Sequence, residues 1–315
     1  MSAILGTEIG QVAARVETTK GTALAPTAVH GGIEVWDPQV TPVVGVAERP
    51  TAHATFGTPA GIPNVRHYEA TFRCPLKGRA SAGIAPDIMT LLRGCGLSET
   101  IVASTSTTYQ GVSVLSSQET ITLDVYRDGK RWRLTGAVGN LVAEVRRDAV
   151  PYVDFSFLGK YVAPVDAALL VSPPYVATSP PQPVGATLTL LSQALIATGW
   201  TFNLGNELKL RQDITDATGW GHGYIANRDS VISIDPEDEL VATFDFLQRL
   251  TNGTLGEFVG QIGTVAGNII RLRAPAVQVT DAPYAEREGL LTRNVSLRCR
   301  ENVVDSNDQF TLRYT

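Results

Sequence analysis

The side chains that most often do chemistry are sparse in this chain and poorly spaced for it. The four histidines, His30, His53, His67 and His222, stand far apart. None shares a ligand spacing such as HExxH with another His or Cys, so no metal is expected. Cys74, Cys95 and Cys299 form no CxxC pair and are odd in number, which reads as buried thiols rather than a disulfide framework. No GxSxG elbow presents a serine nucleophile. Residues 219–223, GWGHG, are glycine-rich, but they precede a strand pattern. A phosphate cradle needs the N-terminus of a helix there. Arg127, Lys130, Arg131 and Arg133 beside Tyr126 and Trp132 have the composition of a nucleic-acid patch. They straddle a hairpin tip, where such charges are more often a solvated face. The chain is therefore expected to carry no catalytic residue and no cofactor, and not to be an enzyme.

Bulk composition points the same way. The 315 residues can bury a large core, and 43% hydrophobic with 18% charged residues is a globular balance. Abundant Thr, Val, Gly and Pro favour strands and turns. A net charge of −5 disfavours tight binding to phosphate. The opening MSAILGTEIGQ lacks a basic region before an apolar one, so no secretory leader is expected. No run of 18 apolar residues predicts a membrane helix.

The elements follow from periodicity. Tyr68, Ala70, Phe72 and Cys74 alternate with polar neighbours and predict a half-buried strand. Residues 123–140, LDVYRDGKRWRLTGAVGN, predict a hairpin around Asp128-Gly129, both at φ > 0. A second turn at Gly136, Gly139 and Asn140 then leads into a new strand at Leu141. Residues 261–268, QIGTVAGN, echo this segment. Helices are expected at 86–94, with Asp87 in the first turn, and at 238–250, capped by Asp235 or Asp238. Pro38 and Pro42 mark an edge strand or a bulge. Long loops are expected at 45–64 and 213–227, and residues 164–183, with six prolines, read as a linker. The two halves share one succession of strands, loop, helix and Gly-Asn turn. The expected organisation is one β domain over 1–163, a linker over 164–183 and a related β domain over 184–315.

In this order the segments ETTKGTALAPT (17–27), DIMTLLRGCGLSE (87–99), VYRDGKRWRLTGAVGN (125–140) and VPYVDFSFLGKY (150–161) resemble tail tube proteins of long-tailed phages and related prophages. FNLGNELKLRQDI (202–214), GYIANRDSVISIDPED (223–238) and GTVAGNIIRLRAPAVQV (263–279) fit the same family. No single motif is specific; their order across most of the chain carries the likeness. The linker and residues 283–289 have no counterpart. The resemblance implies a mainly β fold of two tandem tube-type β-sandwich domains, each with a flanking helix, joined into a closed ring barrel. It implies a virion protein, assembled in the bacterial cytoplasm, whose rings stack into a hollow tail tube that conducts DNA. Each domain would fill one position of a pseudo-sixfold ring, so three chains make a ring. The implied partners are other copies of the chain, the tape measure protein and DNA in the lumen, and tail terminator and tail tip proteins at the ends. No membrane is involved.

Two sets of residues are singled out on this reading. Val43, Val44, Val46, Phe56 and Ile62 are apolar in a loop that would otherwise be polar, and are expected to form the contact between rings. Residues 213–227 are its expected counterpart in the second half. Asp124, Glu144, Glu207 and Asp229 lie in or beside strands and are the candidates to face the lumen. DNA carries about one charge per 1.7 Å of axis, so an acidic or neutral lumen lets it slide. The other readings are another virion β-protein, such as a terminator, decoration or baseplate hub protein, and a carbohydrate-binding β-sandwich. Metal analysis of purified protein should find no stoichiometric zinc or iron.

Overall fold

Alternating side chains build the molecule. In the computed structural model, which describes residues 9–52 and 54–315, Tyr68, Ala70, Phe72 and Cys74 are all buried while the residues between them are not. The chain is mainly β, with 52% strand and two short α-helices among the described residues. Its first part contains β1 (Gly10–Val16), β2 (Trp36–Ala47), β3 (Ile62–Pro75), α1 (Met89–Gly94), β4 (Leu97–Val102), β5 (Ser106–Gly111), β6 (Ile121–Arg127), β7 (Lys130–Arg146) and β8 (Tyr152–Asp166). Next come β9 (Thr187–Leu190), β10 (Gln193–Ala194), β11 (Ala197–Asn203), β12 (Asn206–Gln212), β13 (Trp220–Arg228) and β14 (Val231–Pro236). The chain ends with α2 (Phe246–Asn252), β15 (Leu255–Ile262), β16 (Ile270–Asp281), β17 (Tyr284–Arg287), β18 (Leu290–Arg293), β19 (Val295–Arg300) and β20 (Thr311–Tyr314). No helix among the described residues is long and apolar enough to cross a membrane.

The two halves repeat one strand order. The first runs β1-β6-β7-β8-β3-β2 and the second β9-β15-β16-β19-β14-β11, every neighbour antiparallel. Members of the two sets also occur in the same chain order, with one helix before the fourth strand of each set. β2 and β11 each carry a register shift near their start, at Trp36/Gln39 and Ala197/Trp200. The additions are β4–β5 in the first half and β10, β12–β13, β17–β18 and β20 in the second. The segment 283–289 is largely the β17–β18 hairpin.

The halves are not separate bodies. β11 pairs with the end of β7, from Gly199 opposite Arg146 to Asn203 opposite Val142. β20 bridges β16 and β5. One buried cluster runs through both halves. Among the described residues the sheet stays open. Residues 167–186 form a strap rather than a loose tether. Leu170 N–H donates to Gln11 Oε1 (2.8 Å), Lys77 Nζ donates to Val176 O (2.9 Å), and Asn268 Nδ2 donates to Ser179 O (3.0 Å).

Several expectations are corrected. Only Gly129 of the Asp128-Gly129 turn sits at positive φ (85°). The segment TGAVGN is no turn: β7 runs through it, and Gly136 (φ 60°) forms a bulge. Its echo at 263–268 is a true turn between β15 and β16, so the repeat lies in topology rather than in that motif. β2 and β3 extend into the expected loop at 45–64, leaving 48–61 as the connection; His53 lies outside the described residues. Residues 213–227 are mostly strand, because β13 begins at Trp220. α2 starts at Phe246, where Asp245 accepts Gln248 N–H (2.9 Å). Asp235 and Asp238 cannot cap it, because Arg287 and Arg293 hold them. α1 starts at Met89, and the Asp87 side chain turns inward.

The Asp87 side chain is buried with one carboxylate oxygen unpartnered, and Lys77 Nζ lies 3.8 Å from the other. Burial pushes its pKa up to about 6 against the opposing pull of Lys77. The folded state thus holds this proton more tightly than the unfolded chain. Its contribution is full below about pH 4 and is lost as pH rises through 6, a change of about 3 kcal/mol. Denaturant titrations between pH 4 and 7 should show this decline in the natural chain and lose it in Asp87→Asn.

Candidate functional site

An extended surface is formed by the face of the sheet that turns away from the core. Register links one row of residues across eight strands: Trp36, Arg73, Asp154, Val142, Asn203, Val231, Arg298 and Gln278. A second row runs Tyr152, Glu144, Thr201, Ser233 and Ser296. Between them the opposite parity gives Val153, Ala143, Phe202, Ile232 and Leu297, all buried. A period of two thus turns one face into core and leaves the other polar. The face crosses the β7–β11 junction without a break.

Its charges cancel locally. Arg73 donates to both oxygens of Asp154 (2.7 and 3.3 Å) and stacks over the Tyr152 ring at 4.2 Å. Arg146 pairs with Glu144, and Tyr152 Oη donates to the other Glu144 oxygen (2.5 Å). Burial works against the charge on Glu144, but Tyr152 and Arg146 outweigh it and hold the carboxyl below its ordinary value. Arg298 pairs with Asp229. The face is therefore mostly hydrophilic, with Trp36, Val142 and Val231 half-buried among the polar groups, and near neutral rather than acidic.

The four acidic candidates part company here. Glu144 lies on this face, and Asp229 reaches it through Arg298. Glu207 is on the separate β12–β13 hairpin, paired with Lys209 at 2.9 Å. Asp124 is fully buried and faces no open space, so that expectation is corrected. Arg133 reaches it through two bonds of 2.6 and 2.7 Å. Arg131 lies 4.0 Å from it, and Arg127 bonds Pro38 O, so the cationic hairpin is turned inward. Sequence reading missed Arg73, Asp154 and Arg298, although their alternation with buried neighbours was a usable signal. It also missed Glu17. This buried carboxylate accepts from Gly21 N, Thr120 Oγ1, Thr122 Oγ1 and Gly136 N at 2.7–2.8 Å, which pins the ETTKG segment to β6 and β7.

At one end of the strands an arm projects. β3 pairs with β8 only from His67 onward, so Ile62–Arg66 and the facing end of β2 continue as a two-stranded extension. Val44, Val46 and Ile62 are about half exposed, Phe56 is fully exposed, and Val43 sits half-buried at the base. The turn at 213–219 props this arm. Arg66 N–H donates to Thr218 O (3.1 Å), and Trp220 meets His67 edge-on at 6.0 Å. Asp216 binds Lys160. Burial opposes the charge on Asp216, but Lys160 and Thr218 hold its pKa down at about 2. An open groove of about 850 Å³ lies between arm and turn, lined by Val44, Val65, Tyr161, Ile214 and Trp220.

Among the described residues, no group of three or more His, Cys, Asp or Glu could hold a metal ion. Burial raises the pKa of all three cysteines, with Cys299 at about 12, which suits structural thiols. Compared with known proteins, the chain matches no family model and no curated protein.

Asp124→Asn should cost about 3 kcal/mol in urea unfolding, because it strands the half-desolvated Arg133.

Proposed function

We propose that the chain is a structural subunit of a phage-type tail tube, a ring-forming virion protein whose rings stack around a DNA channel. The observation that carries this reading is the polar face: eight strands from both halves, hydrophilic, and neutral by local pairing. A wall of this kind offers the DNA backbone no cation excess that would hold it, and only a little apolar surface that would draw protein onto it. The matching strand orders support a duplicated unit, with three chains supplying six positions in each ring. Edges left open in one chain would be paired by its neighbours, as closure of a sheet requires. The polar face then lines the channel, where the tape measure protein and DNA pass. The exposed apolar arm is the contact between rings.

Electron microscopy of purified protein tests the reading. Stacked rings with sixfold-like appearance built from three chains are the expected result. Single rings would favour a terminator-type protein, and monomers with affinity for sugars would favour the carbohydrate-binding alternative. A second measurement addresses the channel itself. Replacing Thr201, Ser233 and Ser296 together by Lys should leave assembly intact yet make the tubes retain DNA. That retention should fall steeply with added salt; tubes equally indifferent to DNA before and after the change would place another surface at the lumen.

A further inference from the structure

Strand direction places two apolar surfaces at opposite ends of the molecule. The arm leaves β3 at Ile62, while the far end of β3 is Pro75, opposite Tyr152. Tyr152 faces Glu144, beside the end of β7; Arg146 there faces Gly199; and Ala197 faces Pro236. The segment after β14 and the β17–β18 hairpin therefore lie at the end away from the arm. They are held together by the Glu237–Thr292 bridge and by Asp238 N–H donating to Leu291 O (2.9 Å). Leu240, Val241, Leu290 and Leu291 are all more than half exposed there. That much apolar surface in one place marks a contact.

Charge favours the arm as its occupant. Glu239, Glu286 and Glu288 rim the patch, and among the described residues none has an ion-pair partner. The arm carries exposed Arg49 and Arg66 beside Val44, Val46 and Ile62, against one exposed carboxylate, Glu48, and so has a net positive charge among its described residues. An apolar projection with cations at one end thus matches an apolar patch with carboxylates at the other.

We propose that the arm of one copy docks on the Leu240–Val241 and Leu290–Leu291 surface of the next copy, a head-to-tail contact between unlike patches. Such a contact does not close on itself and extends without limit along the strand direction. The inference deepens the tube reading and rests on it for the identity of the assembly, though not for the pairing of the two surfaces.

The test uses two full-chain variants with one surface altered in each: Val44→Glu with Val46→Glu and Ile62→Glu, and Leu290→Glu with Leu291→Glu. Under conditions where the unaltered chain stacks, neither variant should stack alone. Mixed, they should form one junction, the intact arm of the second meeting the intact patch of the first, and growth should stop there. Sedimentation would read this as a discrete complex of two units. Glu286→Lys with Glu288→Lys, fully on the surface, serves if the leucine variant misfolds; it should weaken stacking at least tenfold, and adding Arg49→Glu should restore part of the loss. Patch variants that stack like the unaltered chain, or a mixture no larger than its components, overturn the inference while leaving the tube reading intact. An unaltered chain that remains monomeric overturns both.

Discussion

The β7–β11 ladder is the constraint on which the rest depends. Five residue pairs carry the register of the first half into the second. Because side chains alternate with a period of two, a slip of one residue there would turn Phe202 and Ile232 outward and bring Thr201 and Ser233 into the core. The core and the polar face are thus fixed by the same pairing. The buried row and the exposed row are one decision made once and propagated across eight strands.

Neutrality of the face follows from the same geometry. Arg73 and Asp154 are directly opposed on neighbouring strands, where opposite charges attract across a short gap. Glu144 is opposed by Tyr152, which can donate to it. Each carboxylate finds its partner within one or two strands, so the field of the surface decays over short distances. Asp124 represents the buried version of this arrangement. It sits among strands that exclude water, and there only a two-pronged arginine makes the charge tolerable.

Strands were legible in the sequence where one face is buried and the other wet, as at Tyr68–Cys74, because alternation is a local signal. Boundaries were less legible. Residues 45–47 and 62–64 hold Gly and Pro and read as loop, yet they pair because an arm needs only one neighbour on each strand. Asp235 and Asp238 have the right type for a helix cap, but distant arginines on β17 and β18 claim them, and no local rule announces that. The GxxGN echo suggested a repeat through the wrong correspondence: in β7 it is a bulge and after β15 a turn. The repeat itself lives in strand order, which becomes visible only once the pairing is known. The exposed apolar residues of the arm were legible because apolar side chains among Gly and Pro have no periodic reason to be there. Their opposite patch was not, since Leu240 and Leu290 lie fifty residues apart in sequence.

The clamped strap also bears on which chain a half belongs to. Twenty residues of free tether could span about 65 Å, enough for the second half of one chain to complete the first half of another. Exchange of this kind is a common route to entangled oligomers when a hinge is loose. Here Gln11, Lys77 and Asn268 fasten the strap along its length, so the second half is delivered to its own β7 at high effective concentration. The two halves are thereby joined within one chain, and in the proposed assembly a second copy would meet surfaces that are already formed.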